Sequence, residues 1–105
     1  MQEICIVYVT ASNKEEAIKI GEDVVKKRLA ACANIIEGMT SIYWWEDKVN
    51  KGSEAVLLLK TKSSLFAELE KTVKEIHSYT CPCVVAIPIA NASETYADWV
   101  RNETK

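Results

Sequence analysis

A chain of 105 residues with 49% hydrophobic and 27% charged positions has the size and composition of one domain spanning 1–105, with no room for a second. The net charge of -2 and the absence of a basic run longer than Lys26-Lys27-Arg28 leave little counterion-release affinity for nucleic acid. The apolar runs 55–59 and 84–89 fall far short of the roughly 20 residues of a bilayer span and residues 1–10 lack a basic leader region, so a cytoplasmic protein with reduced cysteines is expected.

The first strand is expected over 3–10, dense in β-branched and aromatic residues. Ser12 with Glu15 then reads as a capping box opening a helix to about Arg28, with Ala17, Ile20, Gly21, Val24 and Val25 as its apolar stripe. Residues 33–45 read as extended, interrupted at Glu37-Gly38-Met39, where glycine in a strand marks a bulge. The polar segment 46–52 supplies a turn, and 53–61 a second long strand. Ser63 or Ser64 is expected to cap a helix carrying Phe66, Leu69, Val73 and Ile76 on one face, closed by His77. After Pro82 comes a strand over 83–89. Asn91 with Glu94 then makes a capping box for a short helix bearing Tyr96 and Trp99.

The order β-α-β-β-α-β-α predicts an α+β fold: a ferredoxin-like split β-α-β sandwich with an antiparallel sheet and an extra C-terminal helix. Both long helices cover one sheet face. A face left in water would show alternation of apolar and polar residues, yet Ile4–Val9, Ala55–Leu59 and Val84–Ile89 are apolar on both parities. The terminal helix is too short to cover such a sheet, so packing of identical copies into a closed homo-oligomer is expected.

Several spaced segments bring the sequence close to one family. Arg28-Leu29-Ala30-Ala31-Cys32-Ala33-Asn34-Ile35 is followed by Ser41-Ile42-Tyr43-Trp44-Trp45, Lys60-Thr61, His77-Ser78-Tyr79 and Tyr96 with Trp99. Over nearly its whole length the chain resembles the CutA divalent-cation tolerance family. That resemblance implies a homotrimer of ferredoxin-like subunits, similar in architecture to the PII signalling proteins, and a role in tolerance to divalent metals through copper binding. It also implies a polar cavity between subunits suited to small-molecule signalling, and no catalysed reaction. The chain departs from the family pattern at Ser78, Thr80 and Cys83, which replace a proline and acidic or amide residues; this moves any site away from hard cations.

His77, Cys81 and Cys83 place an imidazole and two thiols within seven residues at a helix exit. Such donors suit Cu(I) or Zn(II), with further ligands from water or another chain, so copper or another soft metal ion is the expected bound species and no cofactor is required. The competing reading makes Cys81 and Cys83 packed thiols and His77 a helix C-terminal group that bonds a free carbonyl. Cys32, matching the family's cysteine, is a further candidate ligand or a packed residue. Trp45 shares a strand face with Tyr43 and is expected to anchor an interface or a ligand. Lys60 and, near it, Tyr79 either reach an inter-subunit pocket or extend to water.

Rival functions of this fold lack their residues. No aromatic pair follows Lys51-Gly52 as RNA recognition requires, no thiol stands in the Thr10–Asn13 loop as in a copper chaperone, and no cation there cradles an acyl phosphate. An enzyme is not expected. The alternative to metal tolerance is a PII-like regulatory or scaffolding trimer that binds a small metabolite or protein in an intersubunit cleft.

Overall fold

A computed structural model of the chain describes residues 2–105. The elements run β1 (Ile4–Ala11), α1 (Lys14–Lys26), β2 (Cys32–Trp45), β3 (Lys48–Lys62), a 3-10 turn over Ser63–Leu65, α2 (Phe66–Ile76), β4 (Val84–Pro88) and α3 (Glu94–Glu103). The four strands form one antiparallel sheet in the order β2-β3-β1-β4, which is the predicted split β-α-β arrangement.

Strand register sorts the side chains between two faces. Cys5, Val7, Val9 and Ala11 of β1 lie opposite Thr61, Leu59, Leu57 and Ala55 of β3, and all are buried beneath the helices with Ala17, Ile20 and Val24 of α1 and Leu69 and Val73 of α2. The alternate residues Ile6, Tyr8, Leu58, Val85 and Ile87 form the second face. In α3, Ala97 and Val100 pack with Ile4, Ala31 and Ile89, covering one end of that face. Elsewhere it stays open: Ile36 is 56% exposed, and Val85 and Ile87 are each 47% exposed.

Helix ends differ from the expected boxes. Asn13, not Ser12, caps α1 through a 2.8 Å bond from the Glu16 amide, while Ser12 donates to the Glu16 carboxylate. The box is thus shifted by one residue. At the other end Arg28 takes a left-handed φ of 61°, and the Arg28 and Leu29 amides close back on the Val25 and Val24 carbonyls. This C-terminal closure usually employs glycine. The helix starts expected to be capped by Ser63 or Ser64 and by Asn91 lack side-chain caps: a 3-10 turn leads into α2, and Ser93 precedes α3 with its hydroxyl on Thr95.

The hairpin between β2 and β3 is tighter than the polar 46–52 segment suggests. Pairing continues to Trp45 opposite Lys48, leaving Glu46 and Asp47 as a two-residue turn with φ of 51° and 62°. Two left-handed residues match the strand twist, which lets β3 begin five residues earlier than predicted. The expected bulge falls between Ile36 and Met39, with Gly38 at φ 80° and no heavy atom within 4 Å of where a Cβ would stand. Its requirement is therefore for backbone freedom alone. Gly38→Ala is expected to lower stability by about 1–2 kcal/mol, read as a lower urea midpoint with an unchanged slope. Gly21 answers a different need, since a Cβ there would stand 3.0 Å from the Ala33 Cβ where α1 crosses β2.

Candidate functional site

The exit of α2 is tied to the end of β1 and the start of α1 by a polar network. His77 follows α2 and its side chain is fully buried. Its Nε2 lies 2.7 Å from the Thr10 carbonyl and its Nδ1 3.1 Å from the Tyr79 amide. A carbonyl only accepts and an amide only donates, so the ring is the Nε2–H tautomer with both nitrogens engaged. Next to it, one Glu16 oxygen accepts from the Ser12 amide and hydroxyl, each at 2.9 Å, and the other accepts from the Ser78 amide at 2.8 Å. Burial raises the Glu16 carboxyl pKa, but the bonds from Ser12 and Ser78 outweigh it and hold the group at about 2.

Tyr79 continues the network outward, its hydroxyl donating to the Glu54 carboxylate at 2.8 Å. Burial, that bond and the nearby negative charge all push the phenol upward. The Cys83 thiol is raised by burial and then by Glu54. Cys83 is half-buried one residue before β4, while Cys81 is exposed.

The predicted ligands are near in sequence but do not converge as a three-donor site. Among the described residues no group of three or more His, Cys, Asp or Glu side chains could hold a metal ion. His77 contributes its ring to the fold: both nitrogens are spent on backbone groups, and the carbonyl it bonds belongs to Thr10 of β1 rather than to the end of α2 as the competing sequence reading has it. Cys32 lies across the sheet opposite Lys60, where both reach the Asn34 side-chain oxygen. It also lines a groove of about 400 Å³ with Gly21, Val25, Ile35 and Trp99.

Lys60 and Tyr79 are not neighbours. Lys60 lies opposite Ile6, whereas Tyr79 bonds Glu54, six residues back along β3 and roughly 20 Å away at strand rise. Trp45 is farther still, 49% exposed beside the hairpin turn. A single chain therefore spreads these three residues along its long axis. Sequence reasoning missed Glu16 and Glu54, the carboxylates that organise the α2 exit. The only signal for Glu16 is an acidic first helical turn, and there the expected capping box falls on Glu15.

The fold and these residues define a small α+β ferredoxin-like protein with thiol, imidazole and carboxylate groups gathered near one sheet end. Residues 5–103 match the model of the CutA1 divalent ion tolerance protein family, and the chain belongs to that family. It is 43% identical over 99 residues to the divalent-cation tolerance protein CutA of Thermus thermophilus, covering 94% of this chain and 96% of that protein. To the chloroplastic protein CutA 1 of rice it is 41% identical over 100 residues, covering 95% of this chain and 56% of that protein. The chain thus spans about half the length of the plant relatives it matches. The crystal structure of CutA1 from Oryza sativa superposes with a TM-score of 0.96 at 39% identity, covering 99% of this chain and 95% of that one.

Among the described residues no helix is long and apolar enough to cross a membrane.

Proposed function

We propose that this chain is a homotrimeric divalent-cation tolerance protein that binds copper or another soft metal ion under metal stress, in the cytoplasm and without catalysing a reaction. The observation that carries the assembly is the uncovered apolar surface. Ile36, Val85 and Ile87 on the open sheet face, and Ile42, Trp44 and Val49 on the hairpin arm, are each 47–74% exposed. Burying the half of such a side chain still in water is worth about 1 kcal/mol each, and identical copies are the simplest cover for a face to which all four strands contribute apolar side chains. Membership in a divalent ion tolerance family supports the cation. Four cysteines without a disulfide support a reducing compartment.

In the trimer, Lys60, Tyr79 and Trp45, far apart in one chain, act at clefts completed by a neighbouring copy. A regulatory trimer that binds a small metabolite in such a cleft is the second reading, favoured by the Glu16, Tyr79 and Glu54 network at the sheet end. Sedimentation is expected to give one particle of three chains, which copper but not anionic metabolites stabilises against heat. A lone folded particle of 11.8 kDa would overturn the assembly, and stabilisation by a metabolite without metal would favour the second reading.

A further inference from the structure

Cys32 stands directly opposite Lys60 in the β2–β3 ladder, a placement that sets their Cβ atoms about 5 Å apart on the open sheet face. The Cys32 thiol donates to the Asn34 side-chain oxygen at 3.5 Å, and the Lys60 ammonium donates to the same oxygen. Two donors on one oxygen are at most roughly 7 Å apart. Lys60 crosses on a flexible four-carbon stem, so a turn of that side chain brings Nζ to Sγ without moving the ladder.

The other thiols of the chain are out of reach. Cys5 is 1% exposed on the opposite face of β1, beneath the helices. Cys81 and Cys83 precede β4, the far edge strand from β2, three strand spacings or roughly 14 Å across the sheet. A sulfenic acid formed at Cys32 therefore has no resolving thiol in its own chain, and the nucleophile held beside it is the Lys60 amine. Cys32 is half-buried and lines the groove of about 400 Å³ with Gly21, Val25 and Trp99, which admits a small oxidant to the sulfur. A partly exposed thiol facing a cation has the surroundings in which cysteines oxidise.

We infer that Cys32 and Lys60 form a peroxide-driven sulfur–nitrogen cross-link, which ties β2 to β3 and removes the Lys60 charge from the open face. First the Cys32 sulfur attacks one oxygen of hydrogen peroxide: the O–O bond breaks, an S–O bond forms and a water leaves, with sulfur oxidised and peroxide reduced. Then the Lys60 amine, having lost a proton to solvent, attacks that sulfur. The S–N bond forms as the S–O bond breaks, and the oxygen departs as a second water with a proton from the amine. One thiol, one ammonium and one peroxide thus give one sulfenamide, two waters and one proton. Two thiols of a reductant reverse the step and end as their own disulfide. The cross-link needs no bound metal and stands apart from the metal-tolerance reading.

The test treats the reduced full chain with hydrogen peroxide and maps its peptides by mass. In the wild type the peptides carrying Cys32 and Lys60 are expected to be joined with the loss of two hydrogens, about 2 Da, and to separate again in dithiothreitol. Lys60→Arg keeps the charge but offers no amine to condense. Its joined peptide should vanish, and dimedone, a trap for sulfenic acid, should label Cys32 several-fold more strongly than in the wild type. Cys32→Ser should give neither product. The wild-type map requires no substitution and decides the matter even if a variant misfolds. A Cys32 that stays reduced while exposed Cys81 oxidises, dimedone labelling of Cys32 equal in wild type and Lys60→Arg, or a disulfide at Cys32 would each overturn the cross-link.

Discussion

Leu59→Ala is expected to destabilise the protein by about 2–5 kcal/mol, among the largest costs of any single truncation. Leu59 is fully buried in the second half of β3, opposite Val7 of β1 and Ala33 of β2, in the core shared with both long helices. Removing its branched end forfeits transfer energy and leaves a cavity whose walls, two strands and two helices, cannot all collapse inward. Leu58 provides the internal comparison, because it is half-buried on the open face opposite Tyr8. Its truncation should cost the subunit less and act mainly on association of copies. Urea unfolding at fixed protein concentration measures both, and a loss below that of Leu58→Ala would show that the core is not centred on Leu59.

Acid is expected to remove about 3 kcal/mol of stability through Glu16 alone, from the fall of its pKa from 4.5 to about 2 at roughly 1.4 kcal/mol per unit. The folded value lies below the unfolded one, so this contribution is complete above pH 4.5 and disappears as pH falls towards 2. Its physical source is a carboxylate only 12% exposed that accepts from Ser12 on one side and Ser78 on the other, joining the start of α1 to the exit of α2. Glu16→Gln substitutes a donor NH2 where a donor amide already points, so one of those bonds is lost. The variant should be less stable than wild type at neutral pH, and the difference should close near pH 2. Parallel stability profiles from pH 7 to pH 2 would show that the carboxylate carries none of this dependence.

Both effects depend on features of different legibility. The parity of apolar residues on 4–9, 55–59 and 84–89 identifies three strands apolar on both sides, and the 3.6-residue stripe of α1 identifies the side chains that meet them. The bulge at Gly38 is legible too, because a glycine within a β-rich run has few other reasons to be there. Capping is less legible. Ser12, Asn13, Glu15 and Glu16 offer two overlapping boxes, and the difference of one residue is settled by where β1 ends.

The expected metal ligands show the limit most clearly. Sequence places His77, Cys81 and Cys83 within seven residues, but spacing does not say where each donor's lone pairs are used. The fold turns the imidazole inward to the Thr10 carbonyl, a partner sixty-seven positions away, and leaves Cys81 exposed and Cys83 half-buried. Lys60 and Tyr79 show the converse, joined in expectation by their nearness to a strand end and separated by the antiparallel register of β3.

What the amino-acid order determined by itself was the sequence of elements, their apolar faces and the class of fold, because periodicity and local backbone preference act between residues a few positions apart. Tertiary structure alone decided which polar groups are already satisfied, which thiols remain reachable and which sheet face is left bare. Those outcomes depend on hydrogen bonds and burial between segments distant in the chain, and no local pattern encodes them.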